Sequence, residues 1–183
     1  DIYEMLMYEL NRTHLGQGMD IRWHNERDIV ASESEYYEMC ACKTGCIGRI
    51  VARLPAIITD QSAETERLVA NYAERMSVAF QIGDDILDIE HTLDRAGDFG
   101  KAFGNDIREG KKTLMVIHAA DNAPAADVAR LEEILWAEEN TDEEIMEAVD
   151  ILQETGSVDY ARDRAETLAR EARENLAAVD LDP

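Results

Sequence analysis

From Ser62 to about Glu90 the chain keeps one apolar stripe at helical spacing, through Leu68, Tyr72, Met76, Ala79, Ile82 and Ile86. Residues three and four apart share a face of an α-helix, whereas a strand would alternate at every second position. A stretch this long and regular is therefore a helix with one face to bury, and its neighbours must be elements that can cover it. They read as helices too. Ile2, Met5, Leu6 and Leu10 form a stripe over residues 1–15, which Gly16 and Gly18 are expected to end. Ser32 and Glu35 form a capping-box signature, S-x-x-E, ahead of a long helix through Tyr36, Cys40, Lys43, Ile47, Ile50 and Leu54. Pro55 should kink or end that helix, and Ala41, Gly45 and Gly48 would let a neighbour approach closely. Thr113–Ala120 reads as a short apolar helix. Another starts at Pro124 with Val128, Leu131, Ile134 and Leu135 inward. Thr141 and Glu144 form a second capping box before Ile145, Val149 and Leu152, and Gly156 closes that helix. The last helix runs from about Ser157 to Val179. No hairpin signal occurs. The expected fold is an all-α helical bundle, and 183 residues suit one domain, 1–183, with a real core.

The long helix ends in chemistry. Asp84 and Asp88 lie one turn apart on a face flanked by Asp85, near the end of the helix where the dipole disfavours carboxylates. Three carboxylates so placed repel one another unless a cation sits among them. Oxygen ligands few in number suit Mg²⁺, which keeps some waters and takes further ligands from phosphates. The plainer reading is a solvated acidic face, and lysine placement weighs against it. The chain has four lysines, Lys43, Lys101, Lys111 and Lys112, and three follow the acid triple within one glycine-punctuated stretch, His91–Gly110 and the residues just beyond. Fourteen arginines supply the rest of the basic charge, so surface decoration here is done by arginine. A compact ammonium acts as a point charge for phosphate. Carboxylates for a metal, then lysines on a long loop, point to a Mg²⁺-bridged phosphate or diphosphate. A loop of that length is expected to be functional or mobile.

Forty acidic against eighteen basic residues give a net charge of −22, which argues against nucleic-acid or anionic-membrane binding by bulk electrostatics. An acidic surface nearly without lysine suits a high-salt cytoplasm, where screening removes much of the self-repulsion. No signal peptide and no apolar run of membrane-spanning length is seen, so a cytoplasmic location is expected. Cys40, Cys42 and Cys46 are odd in number and sit on one expected helix. They read as small core residues rather than a disulfide framework or a zinc site. His14, His24, His91 and His118 need no special role.

Four segments carry a resemblance. Gln81 through Asp88, QIGDDILD, resembles the second aspartate-rich motif of the trans-isoprenyl diphosphate synthases, the polyprenyl synthetase family. Gly100-Lys101, Gly104, Asp106 and Gly110-Lys111 with Thr113 match the loop that follows it there. Lys43-Thr44 resembles that family's Lys-Thr pair, and Gly16-Gln17 with Asp20 its Gly-Gln-x-x-Asp segment. All four stand in the family order. Met115 stands where the family usually has proline. The resemblance implies a bundle of the isoprenoid synthase type and a Mg²⁺-dependent prenyltransferase, similar to geranylgeranyl and farnesyl diphosphate synthases. Such an enzyme joins an allylic diphosphate to isopentenyl diphosphate, with C15–C25 products, as a homodimer. It implies Asp84 and Asp88 as Mg²⁺ ligands, with Asp85 a further ligand or a residue just behind them. Lys43 and Lys101 would contact the allylic diphosphate, and Lys111 is similar to a further family lysine near the closing loop. Thr44 and Gln81 would present oxygens to the developing cation. Asp106 would order the loop, and Lys112 reads as plain surface charge. The family's first aspartate-rich motif is not found before Gly16, so the chain is expected to be the C-terminal portion of such an enzyme, inactive alone. Two other readings stay open: a non-catalytic partner subunit of a heteromeric synthase, and a related all-α terpenoid cyclase.

Overall fold

The computed structural model describes residues 2–29, 31–94 and 104–179. Its elements are α1 (Ile2–His24), α2 (Glu33–Lys43), α3 (Gly45–Ile58), α4 (Ala63–Asp94), α5 (Asn105–Arg108), α6 (Leu114–Asn122), α7 (Ala125–Trp136), α8 (Asp142–Glu154) and α9 (Ser157–Ala177). No strand occurs among the described residues, as the periodicity requires. No helix among them is long and apolar enough to cross a membrane. The chain divides into two compact units, one of Asp1–Met19, Tyr37–Gln81 and Arg164–Pro183, the other of Asp20–Tyr36 and Ile82–Asp163.

In the first unit the helices touch where side chains are small. A Cβ on Gly16 would lie 2.6 Å from the Lys43 amide nitrogen and 2.9 Å from Cys42 Cβ. Here glycine is a contact, not a stop, and α1 continues through Gly16 and Gly18 to His24 instead of ending there. The stripe expected on α1 also shifts. Leu10 is exposed while Glu9 is buried, because arginines of α3 claim its carboxylate. The long helix expected from Ser32 is interrupted at Thr44, not at Pro55, which α3 carries to end at Ile58. That interruption resets the helical phase: Tyr36 and Cys40 are buried before it, but Ile47 is exposed and Arg49 buried after it. All three cysteines are free and buried.

The second unit is built on α6, whose first turn is buried all round through Leu114, Met115, Val116 and Ile117. It packs with α8, and α5 and α7 pack with α8 and with each other. Both expected capping boxes form. Ser32 N–H donates to Glu35 Oε2 at 2.9 Å and Glu35 N–H to Ser32 Oγ at 3.3 Å, and Thr141 and Glu144 bond reciprocally in the same way. The expected loop His91–Gly110 is partly helical. α4 runs on to Asp94, its buried Ile89 and Thr92 continuing the inward face, and α5 adds a turn whose Ile107 is buried.

Candidate functional site

On α4 the three aspartates part company, as a helix advancing about 100° per residue dictates. Asp84 is exposed, Asp88 half-buried, and Asp85 only 2% exposed. Both Asp85 oxygens are engaged: Tyr36 donates its hydroxyl to Oδ2 at 2.9 Å, and Lys111 donates from Nζ to Oδ1 at 2.7 Å. Lys111 also donates to Asp106, 3.2 Å from each carboxylate oxygen. Asp88 Oδ2 accepts from the Asp106 amide at 3.2 Å, which fixes the start of α5 against α4. Burial pulls the Lys111 ammonium down, but the charges and hydrogen bonds of Asp85 and Asp106 outweigh it and hold its pKa above the ordinary lysine range. Asp106 goes the other way. Burial raises it, aided by the charges of Asp85 and Asp88, and Lys111 offsets this only in part, so its pKa is pushed up to about 6. The closer contact and these opposed responses make Lys111 chiefly the partner of Asp85.

In the first unit, Lys43 closes α2 and is half-buried. Thr44, in the break, donates its hydroxyl to Gln81 Oε1 at 3.2 Å. The approach of α3 to α4 that permits this is set one turn along. A Cβ on Gly48 would lie 2.5 Å from Ser77 Oγ, so only glycine fits there. The structure thus joins Thr44 with Gln81, and Asp85 with Lys111. Lys101 lies outside the described residues.

Three side chains differ from the sequence reading or were missed by it. Lys112, read as surface charge, is buried. Burial lowers its pKa, and the charges of Glu132 and Asp28 oppose the shift. Tyr36 was legible only as part of an apolar stripe, although it is the residue that turns Asp85 inward. Arg49 stands with Arg53 in the otherwise apolar run GCIGRIVARLPAII of α3, and cations in such a run were the available signal.

No group of three or more His, Cys, Asp or Glu side chains among the described residues converges to hold a metal alone. The donor set still fits Mg²⁺. Asp84 is open, Asp88 keeps Oδ1 beyond its bond to Asp106, and this cation commonly takes one or two carboxylates plus water and phosphate.

Within the second unit, α4 thus presents two carboxylates one turn apart, Asp84 and Asp88, beside a third that is held by Lys111. A polyprenyl synthetase family profile matches residues 1–152, and the chain belongs to that family. It is 38% identical over 168 residues to the geranylgeranyl pyrophosphate synthase of Geoglobus acetivorans, covering 92% of this chain and 49% of that protein. It is 35% identical over 161 residues to the geranylfarnesyl diphosphate synthase of Natronomonas pharaonis, covering 88% of this chain and 44% of that one. The crystal structure of the geranylgeranyl pyrophosphate synthetase from Pyrococcus horikoshii superposes with a TM-score of 0.85 at 31% identity, covering 99% of this chain and 53% of that chain. The chain spans about half the length of the curated relatives it matches.

Proposed function

We propose that this chain carries the diphosphate-ionising half of an isoprenyl diphosphate synthase, a prenyltransferase that condenses an allylic diphosphate with isopentenyl diphosphate to a C15–C25 product. The observation that supports it most is the sorting of the acid triple: Asp85 is tied inward by Tyr36 and Lys111 while Asp84 is left open and Asp88 half-open. A merely solvated acidic face would not bury its middle carboxylate on a lysine. In this reading Asp84 and Asp88 ligate Mg²⁺, and Asp85 orients them rather than binding the metal itself. Bound there, Mg²⁺ would stabilise the charge that develops on a departing diphosphate. Lys43, with Lys101 from the sequence reading, contacts the allylic diphosphate. Lys111 holds Asp85 and lends its remaining charge to the same anion. Because Thr44 gives its hydrogen to Gln81, the lone pairs of the Thr44 hydroxyl are turned toward an allylic cation, with Gln81 fixing the hydroxyl's direction. The working enzyme is a cytoplasmic homodimer.

Asp84→Ala tests the reading. It removes one open carboxylate from an exposed helix position, so the far-ultraviolet circular dichroism should not change. In the full-length enzyme, turnover of an allylic diphosphate with isopentenyl diphosphate should fall about a hundredfold or more. Near-normal turnover would refute the metal assignment. Product formed only when a second, different subunit is added would favour the partner-subunit reading.

A further inference from the structure

Within the first unit, the break between α2 and α3 is one residue long. Thr44 keeps helical dihedrals (φ −102°, ψ −43°), and its amide still donates to the Cys40 carbonyl at 2.9 Å. The next rung is the one displaced. The Ala41 carbonyl, which Gly45 N–H would take in an unbroken helix, accepts from Nη1 of Arg49 at 3.0 Å. Arg49 is 5% exposed, and its other nitrogens are engaged too. Nε and Nη2 donate to Glu9 Oε2 at 2.9 and 2.6 Å, and Nη1 also meets Glu74. The guanidinium fits because position 45 is glycine: a Cβ there would sit 3.2 Å from Nη1. A buried cation with two carboxylates and one backbone carbonyl is a rigid fixture. The carbonyl it holds lies two residues before Lys43.

The geometry points to Arg49 as a positioning residue: by keeping the Ala41 carbonyl out of the helix ladder, it holds the break that sets the Lys43 backbone and aims Thr44 at Gln81. The inference rests on the reading in which Lys43 and Thr44 face the allylic diphosphate. It adds a residue that touches neither substrate nor metal. Glu9 and Glu74 serve Arg49 by fixing the plane of its guanidinium, and this explains why a glutamate stands at 1% exposure in α1. A purely structural account would say instead that Arg49 is present only to neutralise Glu9.

The two accounts separate in the double variant Arg49→Met/Glu9→Met, made in the full-length enzyme. Removing both charges together replaces a buried ion pair by apolar side chains, which proteins commonly tolerate in stability. With Arg49 gone, the Ala41 carbonyl is free for Gly45. Hydrogen exchange of the Gly45 amide should slow about tenfold or more as the ladder closes. The value of kcat/KM for an allylic diphosphate should fall between about ten- and a hundredfold, as expected when binding groups are misplaced by about an ångström. The thermal midpoint should stay close to the parent's. Arg49→Lys, which keeps the charge but not the fork, should show the same two changes in weaker form. Parent-like exchange and parent-like kcat/KM in a stable double variant would overturn the proposal and leave Arg49 a charge partner only. Lys43→Ala is run beside them. If that variant lowers kcat/KM and the double variant does not, the positioning proposal alone fails. If Lys43→Ala leaves kcat/KM unchanged, the diphosphate reading and this proposal fall together.

Discussion

Two clusters of buried charge divide the labour in this chain, and they are built differently. In the first unit, Glu9 and Arg49 are both nearly inaccessible, and the arginine's fork meets Glu9, Glu74 and a main-chain carbonyl, with Arg53 adding a second cation on Glu9 at 3.2 Å. In the second unit, Lys111 is shared by Asp85 and Asp106 and remains 26% exposed. Asp106 is pushed up to about 6, which an adequately paired carboxylate would not be. Near it stand Asp84 and Asp88 with oxygens still uncommitted. The first cluster is closed, with each nitrogen of its buried guanidinium on a carboxylate or a carbonyl. The second has one cation for too many carboxylates and gains if further positive charge arrives. The contrast teaches that burial of charge alone does not mark a site. The marker is incomplete compensation beside solvent-facing carboxylates.

The largest expected effect tests the closed cluster. Arg49→Met alone leaves Glu9 buried with only Arg53, and should destabilise the protein by about 3–5 kcal/mol in chemical denaturation. Lys111→Met should cost less, about 1–3 kcal/mol, because Asp85 keeps the Tyr36 hydroxyl and the site is partly hydrated. Equal losses for the two variants would erase the distinction between the clusters.

Salt sharpens the same contrast. Raising KCl shortens the screening length from ~30 Å at 0.01 M to ~3 Å at 1 M. With a net charge of −22 on the chain, the melting temperature should climb over that range. Buried pairs are screened little, so Arg49→Met/Glu9→Met should climb in parallel with the parent. A melting temperature indifferent to KCl would remove the high-salt reading of the composition.

The smallest effect is the most local. The Asp106 carboxyl should titrate at about 6 by carbon-13 NMR, against an ordinary value of 3.8. A folded pKa above the unfolded one means that the folded state holds this proton more tightly. Its contribution to stability is therefore fully present at low pH and is lost as pH rises from about 4 to about 6. Relative to Asp106→Asn, the parent should lose stability over that window and show no further change above it from this group. Lys111→Met should move the Asp106 midpoint upward, since the ammonium is what restrains it. A midpoint near 4 in the parent would mean that the second cluster is compensated as fully as the first.

The helices were legible because their signals are local. Ser32 with Glu35 and Thr141 with Glu144 bond within one turn, and the stripe of α4 needs only its own spacing to declare itself. The aspartate triple and the Lys43-Thr44 pair were likewise legible as residue types at fixed spacings. What each aspartate does was not. Asp84, Asp85 and Asp88 are chemically alike in sequence, and only the tertiary structure places Tyr36 and Lys111 against one of them, separating the tied carboxylate from the open ones. Gly16 read as a helix end because sequence cannot distinguish a glycine needed for a turn from one needed for contact, and the neighbour it contacts, at Lys43, is remote along the chain. The break at Thr44 was hidden for the same reason. Thr44 and Gly45 do not by themselves stop a helix, and the agent that takes the Ala41 carbonyl is an arginine eight residues on, held by a glutamate of α1 and another of α4. Sequence by itself determines the features that neighbours within a turn or two can settle. Which buried charge finds which partner depends on the packing of distant helices, and that is decided only in the folded chain.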